Sequence, residues 1–245
     1  MEKPKIHPYI PIFIGVVSVS LSAILVKLAN AEAGVIAFYR MLFSVLIMAP
    51  LFFWKYTNEI KQLRIRDWLF SSIAGIFLAF HFIMWFESLN YTSVASSTVL
   101  VALQPLFAFI GTYFFFKEEI TVKTIIAGAI AIIGCVLISW GDFKLSGTAF
   151  YGDMLALIAC ALVTAYFLFG QDVRKRLSLV TYTMIVYVVS TITLFFYVLI
   201  KGESFGPYSI MDWIWFILLA IVPNLFGHRI ELQEAHFFRG GRNEV

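Results

Sequence analysis

WLFSSIAGIFLAFHFIMWFESLNYTSVASSTVLVALQPLFAFIGTYFFF, residues 68–116, decides how this chain is read. It holds two apolar runs, 68–89 and 93–116, joined by Asn90, Tyr91 and Thr92. At about 1.5 Å per residue, either run is long enough to cross a bilayer as a helix. So short a joint sets the two antiparallel, as a transmembrane hairpin. His81, Glu87 and Gln104 are costly residues for hydrocarbon, and Pro105 stands beside Gln104. A soluble core has no need of runs this long, and a mere anchor has no need of such polar groups.

The composition agrees. The chain is 61% hydrophobic and 13% charged over 245 residues, against about half and about a quarter in soluble domains. Its Lys and Arg residues punctuate apolar runs instead of covering a face, which excludes a nucleic-acid partner. Cys135 and Cys160 each lie inside an apolar run and read as small core residues.

Eight spans are expected: 9–28, 34–54, 68–89, 93–116, 121–140, 150–170, 180–200 and 211–227. The first reads as an uncleaved helix, because it exceeds a signal-peptide core and further spans follow. Alternate loops divide the basic residues. Fourteen of the eighteen fall on the side of the N-terminus, in segments 3–5, 55–66, 117–123, 174–176 and 229–242. Lys144 and Lys201 fall on the other side, and Lys27 and Arg40 lie within spans. The positive-inside rule then sets the N-terminus in the cytoplasm of a multi-pass plasma-membrane protein.

Several side chains are site candidates. Arg40 lies about two turns inside the outer end of its span, where pairing or cavity lining is expected. Lys27 and Glu87 lie near outer ends and fit side chains reaching for the headgroups. His81, Trp85 and Ser88 share one helical stripe, which fits either a substrate-facing wall or polar groups satisfied by neighbouring helices. Glu87 points away from that stripe, and Glu87 and His81 are the hairpin's candidate proton or charge sites. Gln104 brings two donors and an acceptor to mid-membrane. Pro105 frees the Val101 carbonyl and bends the fourth span there, so polarity and kink coincide as in transporter sites. A packing kink is the other reading. Ala127, Gly128, Ala131 and Gly134 in the fifth span predict close helix packing.

After residue 149 the pattern restarts. Asp212-Trp213 opens the eighth span as Asp67-Trp68 opens the third, and a histidine follows each, at 228 and 81. This is a weak five-helix repeat, and an odd unit sets its copies in opposite orientations. The division is a first repeat over 1–140, an incomplete second over 150–227, and a polar cytoplasmic tail over 228–245. The fold class is thus an all-α polytopic membrane protein with eight helices of an expected ten. Pro223 and Asn224 are read as the turn toward a missing hairpin, with a truncated or altered end preferred over a genuine tail.

These residues resemble the EamA-type transporters of the drug/metabolite transporter superfamily. The resemblance rests on HFIMWFESLNYTSVASSTVLVALQPLFAF (81–109) with Lys117-Glu118-Glu119, on AGAIAIIG (127–134), and on GDMLALIACALVTAYFLFGQDVRKRLSLVTY (152–182). It implies ten helices in two inverted repeats, a central cavity and a small organic substrate, usually exported. Arg229-Ile230-Glu231-Leu232 departs from the pattern. The expected activity is alternating-access transport of a metabolite or drug, with Gln104, Pro105, His81, Trp85 and Arg40 lining the cavity. No cofactor or metal is expected. The expected partners are the substrate and the lipid bilayer, with a homodimer as the assembly to test. A non-transporting sensor or inactive remnant is the alternative. An intramembrane enzyme has less support: there is no His-Glu-x-x-His, Gly-x-Ser-x-Gly or aspartate-rich motif, and the histidines are scattered at 7, 81, 228 and 236.

Overall fold

A computed structural model describes residues 9–116, 121–145 and 147–228. Every regular element among the described residues is helical. They are α1 (Tyr9–Leu28), α2 (Ala33–Lys55), the single turn α3 (Thr57–Ile60), α4 (Ile65–Ser88), α5 (Val94–Val101), α6 (Gln104–Phe116), α7 (Val122–Leu145), α8 (Ala149–Val173), α9 (Leu179–Lys201) and α10 (Ile210–Leu219). A π-helical segment, Ala220–His228, continues α10.

Six of these stretches are long and apolar enough to cross a membrane: Ala33–Lys55, Ile65–Ser88, Val94–Gly111, Val122–Gly141, Ala149–Val173 and Leu179–Lys201. The chain is a membrane protein with several spanning helices. The expected first and eighth spans are helical too, at Tyr9–Leu28 and Ile210–His228.

Local chemistry fixes the helix starts. The Ser93 hydroxyl accepts from the Ser96 amide at 3.0 Å, that of Ser178 from Thr181 at 3.2 Å, and that of Ser209 from Asp212 at 3.1 Å. Each satisfies one of the amides that a helix leaves unpaired at its start. Gly202, at φ 70°, closes α9 in the left-handed conformation that glycine adopts without strain.

At the centre lies α4, packed most extensively on α8 and also on α9 and α2. Its Gly75 permits the approach of α9: a Cβ there would meet the Val186 carbonyl oxygen at 2.8 Å. The Ser190 hydroxyl then donates to the Gly75 carbonyl at 2.6 Å. α1 packs against the π-helical segment. The hydrophobic residues left uncovered, such as Ile125, Ile126, Ile133 and Leu137 on α7, suit a lipid environment.

Three expectations need correcting. The fourth span is not one bent helix. It breaks at Ala102 and Leu103, and Pro105 lies in the first turn of α6, where its missing N–H would have had no helical partner. The small residues of the fifth span do not form a packed stripe: Ala127 and Ala131 are exposed and a Cβ at Gly134 would meet nothing within 4 Å, although Gly128 lies against Leu106. Pro223 and Asn224 form no turn. They lie inside the π-helical segment, whose wider turns accommodate a residue without an N–H. The tail from 229 onward lies outside the described residues, and so do residues 117–119.

Candidate functional site

Apolar helices carry a polar centre built on Arg40. α2 presents this guanidinium at 1% exposure. Its Nε and Nη2 donate to Asn224 Oδ1 at 2.8 and 2.5 Å, and its Nη1 donates to the Ser22 hydroxyl at 2.9 Å. Asn224 Nδ2 donates to Ser44 Oγ at 2.8 Å, and Ser44 returns a bond to the Arg40 carbonyl at 2.8 Å. Three elements are therefore joined: α1 through Ser22, α2 through Arg40 and Ser44, and the π-helical segment through Asn224. The guanidinium also lies over the ring of Phe82, 4.2 Å from its centroid, and 5.7 Å from that of Phe86, so α4 supplies a cation–π face. No carboxylate pairs with Arg40 among the described side chains.

The stripe on α4 adjoins this centre. The rings of His81 and Trp85 stack at 5.7 Å; His81 lies 5.0 Å from Phe82, and Trp85 lies 5.5 Å from Phe86. His81 is buried, with Nδ1 2.8 Å from the Ala159 carbonyl of α8. The indole Nε1 of Trp85 is buried and has no hydrogen-bond partner among the described residues. Ser88 donates to the Trp85 carbonyl at 2.6 Å and shares a 2.6 Å hydroxyl contact with Ser97 that ties α4 to α5.

Arg40, His81 and Trp85 thus belong to one cluster, connected through Phe82 and Phe86. Gln104, half-buried, and Pro105, exposed, lie on α6 and enter none of its described contacts. Glu87 is half-buried near the end of α4 and accepts from Asn90 Nδ2 at 3.3 Å. Lys27 is exposed, as expected of a side chain that reaches for the headgroups. Cys135 and Cys160 are buried and free. Asn224 is the member that sequence reasoning missed. Its one signal was an amide beside a proline in an otherwise apolar run.

Each end of the bundle has an acidic clasp. At the basic end, Glu59 accepts from the Ser178 amide at 3.1 Å and hydroxyl at 2.8 Å, at the start of α9. Burial pushes the Glu59 carboxyl up, but hydrogen bonds from Thr181 and Ser178 outweigh it and leave the group below its ordinary value. There too, Asp67 accepts from the Arg64 amide at 3.0 Å and pairs with Arg176, just past α8. At the other end Glu203 lies against Gly34, at the start of α2: a Cβ on Gly34 would come 2.5 Å from Glu203 Oε2. That oxygen is buried and has no hydrogen-bond partner among the described residues. Burial first, and then the charge of Glu32, raise the Glu203 carboxyl above its ordinary value, while the Val35 amide pulls the other way. Asp212 caps α10 through Ser209 and accepts from the Asn30 amide at 2.9 Å, just past α1.

Beside α6 lies a cavity of about 750 Å³, lined from α5, α6, α7 and α8. Leu103 and Leu106 line it; Gln104 and Pro105 do not.

The sequence pattern of the EamA-like transporter family matches residues 8–140, more than half of the chain. The chain belongs to the EamA-like transporter family. An uncharacterized transporter of Archaeoglobus fulgidus is 31% identical over 80 residues, covering 32% of this chain and 29% of that protein. A second uncharacterized transporter of that organism is 28% identical over 105 residues, covering 43% and 37%. An uncharacterized protein of Haemophilus influenzae is 30% identical over 82 residues, covering 33% and 60%. The chain therefore spans less than two thirds of each of these relatives.

Proposed function

We propose that the chain transports small organic molecules, metabolites or drugs, across the plasma membrane, as an exporter working by alternating access and not as an enzyme. The observation that carries this reading is the Arg40 centre. A charged side chain within a membrane helix costs about 2.5–3.5 kcal/mol on insertion scales. A purely structural joint is made as well by apolar packing. A guanidinium held by neutral partners, and joining the first and last described helices, is poised to change partners as those helices move. The Trp85 indole beside it has an N–H to offer a substrate, and Gln104 with Pro105 remains a second candidate wall. The N-terminus is assigned to the cytoplasm, in line with the division of basic residues.

Two inverted repeats, with eight crossings in this chain, complete the reading. The clasps support it: Glu59 follows α2 and reaches the start of α9, while Glu203 follows α9 and reaches the start of α2. Asp67 opens α4 and reaches beyond α8, while Asp212 opens α10 and reaches beyond α1. Each relation recurs with the halves exchanged and at the opposite end, as an inverted repeat requires.

Uptake into proteoliposomes tests the reading, with a panel of radiolabelled amino acids, nucleobases and organic acids under proton and sodium gradients. At least one compound is expected to accumulate, and Arg40→Lys, which keeps the charge but loses the planar fork, is expected to reduce its rate at least ten-fold. No accumulation of any compound, or an unchanged rate in the variant, overturns it.

A further inference from the structure

The connection between α9 and α10, residues 202–209, is folded as a strap over the first two turns of α2. Gly202 and Gly206, at φ 70° and 151°, give it two turns that other residues adopt only under strain. Between them the Phe205 ring meets those of Phe38 on α2 and Phe195 on α9, at 5.3 and 5.5 Å. The Phe205 carbonyl accepts from the Tyr39 hydroxyl at 2.7 Å. Tyr39 is next in sequence to Arg40 and stacks on Phe216 of α10 at 5.2 Å. The strap is therefore fastened to the helix that carries the polar centre. Within it, the Ser204 hydroxyl donates to the Gly206 carbonyl at 2.6 Å.

One fastening can gain or lose a charge. Glu203 accepts from the Val35 amide, and its Oε2 is buried against Gly34 with no hydrogen-bond partner among the described residues. A carboxylic acid tolerates such a place better than a carboxylate does. Glu32, just before α2, and Glu87 on α4 disfavour a further negative charge there, while the Val35 amide and Lys201, at the end of α9, oppose them. Tyr197 and Tyr208 also face Glu203, and phenols stay neutral below about pH 10. On α10, Asp212 is already engaged by Ser209 and Asn30.

We propose that residues 202–209 are a pH-operated strap, clamped over the start of α2 while Glu203 carries a proton and lifted at its glycine turns when that proton leaves. The Tyr39 hydrogen bond and the Phe205 ring contacts then break together, and Tyr39 is freed beside Arg40. The switch belongs to the fold and is read without substrate, so it stands or falls apart from the transport proposal.

Hydrogen–deuterium exchange reads the strap, on the 245-residue chain in phosphatidylcholine nanodiscs. The probes are the amides of Val35 and Gly206. Each rate is divided by that of the same amide in Glu203→Gln at the same pH, so the intrinsic chemistry of exchange cancels. The ratio is expected to lie near one at pH 4 and to reach about five or more at pH 8. Glu32→Gln removes a negative charge at an exposed position and is expected to move the rise to lower pH. Tyr39→Phe lacks the hydroxyl that holds Phe205 and is expected to quicken exchange at pH 4. A ratio that stays flat with pH, a rise that Glu32→Gln leaves in place, or exchange at pH 4 unchanged in Tyr39→Phe overturns the proposal. Should Glu203→Gln fail to fold, as judged by thermal melting, parent rates corrected for intrinsic exchange take its place, and the direction of the Glu32→Gln shift decides.

Discussion

The two ends of the bundle make the same connections with different chemistry. At the basic end a carboxylate reaching the start of a helix finds an amide and a hydroxyl, both on Ser178, and its neighbour Asp67 finds Arg176. At the other end Glu203 crowds Gly34 with one oxygen that has no described partner, and Asp212 meets the Asn30 amide without a described cation. One end is closed by satisfied charges. The other is closed by shape, with a carboxylate that burial and Glu32 push toward its neutral form. On the alternating-access mechanism proposed above, the end held by shape is the less costly to release.

The largest effect is expected from the charged pair. Asp67 is 2% exposed, and Asp67→Ala removes a helix cap and strands Arg176, which is part-exposed and recovers some hydration. A loss of about 2–3 kcal/mol is expected from cap and ion pair together. Asp212→Ala removes a cap and one amide bond and should cost about 1–2 kcal/mol. Denaturation in detergent measures both, and equal losses would erase the distinction between the ends. Gly34→Ala comes next. Its Cβ would lie 2.5 Å from Glu203 Oε2 and 2.7 Å from the Tyr197 ring, an overpacking worth about 1–2 kcal/mol. An unchanged melting temperature would show that the shape-held end has slack.

Much of this was legible in the sequence. The all-helical class, six apolar spans and the two Asp-Trp helix openings follow from run length and local pattern, which need no knowledge of neighbours. Asn224 was not legible, because its partner Arg40 is 184 residues away and an amide beside proline reads equally well as a turn. The clasps were hidden for a related reason. Glu59 and Glu203 look like any charged loop residue until the helix starts at Ser178 and Gly34 are placed against them. Gln104 and Pro105 were singled out together because a polar group and a kink coincided. Pro105 has a local explanation at the start of α6, which leaves Gln104 to be judged by its amide alone.

The smallest effect, and the most discriminating, is the sign of the pH response at the two ends. Glu59 has its carboxyl held below the ordinary value of about 4.3. It contributes stability above that value, and the contribution is lost as pH falls through the lowered one. Glu203 is held above the ordinary value. Its contribution is full below about 4.3 and is lost as pH rises through the raised one. Glu59→Gln should therefore lower the melting temperature at pH 7 and leave it nearly unchanged at pH 3. Glu203→Gln supplies a permanently neutral group of similar shape, so it should raise the melting temperature at pH 7 and approach the parent at pH 4. Both groups are part-exposed, so shifts of only a degree or two are expected, and the test rests on their opposite directions. If both variants moved the same way at pH 7, the two clasps would be chemically alike, and the ends would differ only in their basic residues.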